Sequence, residues 1–170
     1  MRRLNAPGGR AQGGFTLIEV IISFVVLAVG LLGVASMQKR GVESNHNAYL
    51  RTQAVSLAND MASRVRANTA GMEAGNYNAP AAQETAACLA AGCTAAQMAG
   101  NDYFEWSRDI QNMLPQGEGV VCLDSTPDDG SDAANAACDG VGTELAIKIW
   151  WDAIPRDGTV DQRYAIGVDI

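Results

Sequence analysis

The 170-residue chain holds one histidine, His46, which excludes most histidine-based acid–base and nucleophilic chemistry. It contains no Ser/His/Asp set, no glycine-rich nucleotide loop and no zinc-ligand spacing; its four cysteines form no CxxC pair, and His46 is far from all of them in sequence. Intrinsic catalysis is therefore not expected, nor is a cofactor. Basic residues are scarce past Gly71, where Arg108, Lys148, Arg156 and Arg163 face sixteen acids. An acidic segment of this kind repels phosphate, so no direct nucleic-acid partner is expected. The length leaves room for one domain, with or without a tail.

What is present is unevenly spread. The chain is 48% apolar and 18% charged overall, yet residues 20–38 carry no charge at all. Arg2, Arg3 and Arg10 precede this run, so the N-terminus belongs on the cytoplasmic side and the remainder beyond the inner membrane. About 20 apolar residues in helix span a bilayer, and the run exceeds the h-region of a secretory signal. Ala35-Ser36-Met37 is also a poor cleavage site.

Glu19 breaks the apolar segment 15–37 four residues past Phe15. A carboxylate inside a membrane helix costs about 2.5–3.5 kcal/mol, so it needs a partner unless it sits at the interface. In Gly13-Gly14-Phe15-Thr16-Leu17-Ile18-Glu19, cleavage after Gly14 would free an amine on Phe15, one helical turn away. GGFTLIEV followed by an apolar helix resembles the class III signal of type IV pilins and their pseudopilin relatives. The resemblance implies that a prepilin peptidase cuts between Gly14 and Phe15 and methylates the Phe15 amine. It implies that Glu19 pairs with the N-terminal amine of a neighbouring subunit during assembly. It also implies an α+β pilin fold: a long N-terminal α-helix, half membrane and half amphipathic, packed on a small antiparallel β-sheet head with disulfide loops. The expected segments are a cleaved leader over 1–14, a transmembrane and assembly helix over 15–37, an amphipathic half over 38–70 and a periplasmic head over 71–170.

Val42, Tyr49, Ala54, Leu57, Ala58, Met61, Ala62 and Val65 recur at threes and fours, which predicts that the helix continues as one apolar stripe. Asp60 and Arg64 form an i,i+4 pair, Arg64 and Arg66 suit a helix C-terminus, and Gly71 is the expected stop. Such a helix has about 55 residues and is roughly 80 Å long. Residues 72–93 lack an apolar period and read as irregular surface chain. Thr94 with Gln97 fits a capping box, and Asp102 with Glu105 offers a second start for a helix through Leu114, closed by Pro115 and Gly117. Tyr103, Trp106, Ile110 and Met113 or Leu114 share one face of it. Strands are expected over 120–123, 145–151 and 164–170, in a three-stranded antiparallel sheet laid on the soluble half of the long helix. Leu145, Ile147, Ile149 and Trp151 point one way, as do Tyr164, Ile166, Val168 and Ile170. Pro155 closes the second strand, and Asp157-Gly158 sits in a connection too long for a two-residue hairpin.

All four cysteines fall in the part placed in the oxidising periplasm, and three pairings are possible. Proximity favours Cys88 with Cys93 and Cys122 with Cys138; the second would close a loop worth roughly 3 kcal/mol. Asp124, Asp128, Asp129 and Asp132 between the latter two are weak calcium candidates, but Asp129 stands where an EF-hand needs glycine, and no metal is assigned. A solvated acidic loop pinned by a disulfide is favoured. Trp150 and Trp151 are adjacent on a strand, so one is expected in the core, with the other facing away to cover the helix or meet a subunit. His46 reads as a solvated or subunit-contact residue.

LANDMASRVRAN (57–68), AQMAGNDYFEWSRDIQNMLPQGEGVVC (96–122) and IKIWWD (147–152) resemble the PilV-type minor pilins, also called type IV pilus modification proteins. This implies a low-abundance subunit that joins other minor pilins, the major pilin and the inner-membrane assembly platform. Such a subunit starts or caps the fibre, reaches the cell surface at its tip, and supports piliation, twitching motility and adhesion. Major subunits often carry a proline in the distal membrane part; here none lies between Phe15 and Ala79, and Gly30 and Gly33 are the weak points. Two other readings remain open. A type II secretion pseudopilin shares Phe15 and Glu19, and a signal-anchored periplasmic binding module or calcium-dependent adhesin would keep residues 1–14.

Overall fold

A computed structural model describes residues 14–90, 92–153 and 160–170. Arg2, Arg3, Arg10 and Gly13 of the leader, and Pro155, Asp157 and Gly158, lie outside the described residues. The chain divides into two compact units, Met1–Glu43 and Ser44–Ile170.

Helix α1 covers Leu17–Ala67. No proline interrupts it, and its small polar residues are absorbed by bonds to the preceding turn: Ser23, Thr52, Asn59 and Ser63 each donate to the carbonyl four residues back. Gly30 and Gly33 lie within the helix, which continues through both. In the first unit the large apolar side chains, from Phe15 through Ile18, Val25 and Leu32 to Met37, are all exposed. By length and composition this helix is apolar enough to cross a membrane. Lys39 and Glu43 make an exposed i,i+4 ion pair at 3.7 Å.

In the second unit, α1 buries Leu50, Ala54, Leu57, Ala58, Met61, Ala62 and Val65. The expected stripe is correct from Ala54 onward but runs too far back. Val42 is 69% and Tyr49 59% exposed, because Leu50, a full turn before Ala54, is the residue that turns inward. The helix also stops earlier than expected. Asn68 closes α1 and caps α2, Thr69–Glu73, by accepting from the Gly71 amide at 3.1 Å. Gly71 is therefore inside α2, where a Cβ would come within 2.4 Å of the Asn68 side chain. After α3, Ala87–Ala90, the capping box on Thr94 and Gln97 opens α4, Ala95–Met113. Asp102 starts no second helix; it lies buried within α4.

The sheet has the expected topology. Strands β1 Glu118–Leu123, β2 Glu144–Trp151 and β3 Gln162–Asp169 are antiparallel in the order β1-β2-β3. Leu145, Ile147, Ile149 and Trp151 of β2 join Val121, Val168, Trp106, Ile110, Leu114 and the α1 residues from Leu50 to Val65 in one core. Met113 and Ile170 are about half exposed, and Ile170 falls outside β3. The Trp106 indole donates to the Leu57 carbonyl at 2.8 Å and so rivets α4 to α1. Gly119 makes room for that ring: a Cβ there would lie 2.5 Å from Trp106 Cη2. The other face of β2 is covered as well. Ala146, Lys148 and Trp150 are buried, so both tryptophans are internal: Trp151 lies in the core as expected of one of the pair, and Trp150, facing away from it, is covered within this chain instead of by the helix or a subunit.

Candidate functional site

Two places carry chemistry beyond packing: the start of α1 and the loop over the outer face of the sheet. Thr16 leads into α1; its carbonyl and hydroxyl accept from the Glu19 amide at 3.1 and 3.4 Å. Gly14 and Phe15 precede the helix, and Phe15 is 83% exposed. Phe15, Glu19, Val20, Ser23, Phe24 and Leu27 line a shallow groove along the helix. Among the described residues the Glu19 carboxylate has no hydrogen-bond or ion-pair partner, although it stands in an apolar, wholly exposed stretch. The arrangement presents one acceptor charge to whatever covers the helix.

In the head, Cys88 pairs with Cys93 and Cys122 with Cys138, with Cα separations of 4.8 and 6.1 Å. The second bridge ties the acidic segment to β1, and that segment folds over Lys148. The Lys148 ammonium, fully buried, meets Asp124, the Asp129 carboxylate at 2.5 Å and the Ala136 carbonyl at 2.8 Å. The ammonium thus sits among three acceptors, Asp124 as an ion pair and Asp129 and Ala136 by hydrogen bonds. The Lys148 hydrogen bond, then that from Thr126, holds the Asp129 carboxyl below the ordinary carboxylate range. Arg163 fixes the next turn, reaching Asp128 Oδ1 at 2.9 Å, the Asp128 carbonyl at 2.9 Å and the Gly130 carbonyl at 2.5 Å. Asp132 accepts from the Asn135 side chain at 2.9 Å and the Asn135 amide at 2.8 Å, which lowers its pKa.

The disulfide pins the acidic loop as expected and Asp128 stays exposed, but the loop is not solvated throughout. Asp124 is wholly buried, because Lys148 on β2 draws it inward, and Asp128, Asp129 and Asp132 are each engaged by protein donors. Among the described residues no group of three or more His, Cys, Asp or Glu side chains is placed to hold a metal ion. His46 is exposed on α1.

A second polar cluster joins α1, α4 and the chain on either side of α2. Arg64 binds Asp60 at 2.9 Å, Glu105 at 2.8 Å and Asp102 at 3.5 Å. The Tyr77 hydroxyl donates to Asp102 at 2.5 Å, and the Asn68 amide donates to that hydroxyl at 3.1 Å. Burial opposes the Arg64 charge, but the bonds to Glu105 and Asp60 outweigh it and hold the guanidinium above its ordinary value. Burial, then the bond to Asp102, pushes the Tyr77 hydroxyl up. Arg64 in turn pulls Glu105 down. The phenol is kept protonated and the ammonium is enclosed by acceptors, so both clusters act as fastenings. The sequence does not single out Lys148 or Tyr77 as polar anchors, and it marks Asp102 only as a helix start. The signal the sequence offers is the lone base in IKIWW, with the acidic stretch from Asp124 to Asp132 lying 16–24 residues upstream.

Sequence families place these features in one context. The prokaryotic N-terminal methylation motif matches residues 9–35, and the Tt1218-like family, described as Type IV pilin Tt1218, matches residues 36–104. No curated protein and no solved structure matches the chain. The methylation motif implies processing by a prepilin peptidase and a pilus-assembly context, and with the single apolar helix it fits an inner-membrane-anchored subunit that becomes associated with a pilus. Pilins are structural subunits. The abutting matches over residues 9–104, together with a long apolar N-terminal helix and a disulfide-bonded three-stranded antiparallel sheet, make this chain a type IV pilin-like protein.

Proposed function

We propose that the chain is a non-catalytic minor subunit of a type IV pilus, of the PilV type, that primes or caps the fibre and supports piliation, twitching motility and adhesion. A prepilin peptidase removes residues 1–14, Phe15 becomes the methylated N-terminus, and residues 15–37 anchor the chain in the inner membrane until it enters the fibre beside other minor pilins and the major pilin. The observation that carries this reading is Glu19: a carboxylate without a partner among the described residues, in the first turn of an exposed apolar helix within the methylation motif. In hydrocarbon such a charge is stable only when neutralised, and a neighbour's N-terminal amine is a complementary cation. Glu19→Ala should leave cleavage at Gly14 largely intact but lower the amount of chain in sheared fibres by about tenfold or more, as loss of a pair worth upwards of ~1.4 kcal/mol requires. Immunoblots of membrane and sheared fractions read both quantities. Equal incorporation of Glu19→Ala and wild type would refute the charge-pairing account.

A further inference from the structure

Lys148 and Asp124 touch with no exposed surface on either side chain, yet their contact is not a hydrogen bond. The Lys148 nitrogen donates to Asp129 Oδ1 at 2.5 Å and to the Ala136 carbonyl at 2.8 Å, with the Asp129 carbonyl a distant third at 3.5 Å. Asp124 Oδ2 meets the same nitrogen, is itself buried, and accepts a hydrogen bond from no described residue. A hydrogen-bonded ion pair aims a hydrogen at the carboxylate oxygen. Here the nitrogen directs its hydrogens to Asp129 and Ala136 and turns its remaining side to the Asp124 carboxyl.

The surroundings hold this contact and keep it dry. Lys148 stands on β2 opposite Val120, and Asp124 directly follows β1, its amide donating to the Glu144 carbonyl at 3.4 Å. Cys122, Ala146 and Trp150, on the same face of the two strands, are all buried. Asp124 Oδ1 accepts from the Thr126 amide at 3.1 Å and the Thr126 hydroxyl at 3.5 Å. That hydroxyl also donates to Asp129 Oδ2 at 2.8 Å, so it stands between the two carboxylates. Groups fixed in contact in this way react with a high effective concentration. Burying the two charges is costly, and joining them as an amide removes both.

We propose that Lys148 and Asp124 condense into an intramolecular amide that locks the acidic loop onto the sheet. Asp129 takes a proton from the Lys148 ammonium, and the freed amine attacks Asp124 Cγ, forming the N–C bond. The proton passes from Asp129 through the Thr126 hydroxyl to Asp124 Oδ1. A second proton leaves the nitrogen by the same route, the Cγ–Oδ1 bond breaks, and Oδ1 departs as water. One hydrogen stays on the amide nitrogen, Oδ2 becomes the amide oxygen, and the pair's two charges cancel. The freshly folded chain is still ionic, so its stability responds to either residue as a buried pair does. Once linked, the loop stays closed even when Cys122–Cys138 is reduced. The test follows full-length protein in detergent over time, each sample being denatured and reduced before its mass is read. The mass should fall by one water. Glutamate-specific cleavage after Glu118 and Glu144 separates residues 119–144, which hold Asp124, from 145–170, which hold Lys148. These two peptides should come to leave joined, with fragmentation placing the branch at Asp124. Asp124→Leu should release them separately. Asp129→Asn should lower the joined fraction at a fixed time at least about tenfold, while tryptophan fluorescence shows the head still folded. Wild-type peptides that stay separate, a water lost from a linear peptide, joined peptides in Asp124→Leu, or undiminished joining in Asp129→Asn would overturn the proposal.

Discussion

Lys148→Met should destabilise the head by about 3–5 kcal/mol, because it leaves a buried carboxylate without its cation. Asp124 has no exposed surface and cannot rehydrate in place, whereas Asp129 has a 40% exposed side chain and can. The loss should therefore trace mainly to Asp124. Lys148→Met combined with Asp124→Leu removes both charges and should recover most of the stability, since replacing a buried pair by apolar groups is often neutral. Urea unfolding of the full-length protein in detergent reads the effect directly, because all three tryptophans, Trp106, Trp150 and Trp151, are buried in the head. A wild-type midpoint for Lys148→Met would mean that the acidic loop does not close over the lysine.

Trp106→Ala should cost a similar amount, about 3–5 kcal/mol, by opening a cavity between α1, α4 and β1 and deleting the bond to Leu57. Trp106→Phe separates the terms: it removes the indole N–H, worth about 1 kcal/mol, and part of the ring volume. The contact with Gly119 supplies the decisive cross-check. In the wild type a Cβ at Gly119 collides with Trp106 Cη2 at 2.5 Å and Ile110 Cδ1 at 2.6 Å, so Gly119→Ala is damaging. In the Trp106→Phe background half of that collision disappears, and the two substitutions should be less than additive in the same unfolding assay. Strict additivity would show that the ring does not lie over Gly119.

Much of this architecture is legible in the sequence because it depends on local periodicity. The alternation in IKIWW and the apolar 54–65 stripe set the faces that meet in the core, and Thr94 with Gln97 sets the start of α4 through two short-range bonds. Local pattern does not reach those residues whose fate depends on what lies across from them. Tyr49 keeps the helical period of the stripe but is exposed, and sequence spacing cannot say where along α1 the packed partners begin. Asp102 is a good N-cap by type, yet Tyr77 and Arg64, distant in sequence, hold it inside a helix. Lys148 and Trp150 occupy the strand face that alternation assigns to solvent; they are buried because a disulfide-tied acidic loop folds over them. The start of α1 is the opposite case: Gly14, Phe15 and Glu19 are recognisable as a contiguous motif, and the structure adds the exposure of Glu19 and its want of a partner among the described residues.

The most direct test of the central claim is the mass of the chain in sheared surface fibres, with the membrane fraction as reference. The account predicts an N-methylated Phe15 start in the sheared fraction with both disulfides formed. The same processed chain confined to the membrane fraction would point to a secretion pseudopilin, and an intact Met1 would contradict assembly as a pilin altogether.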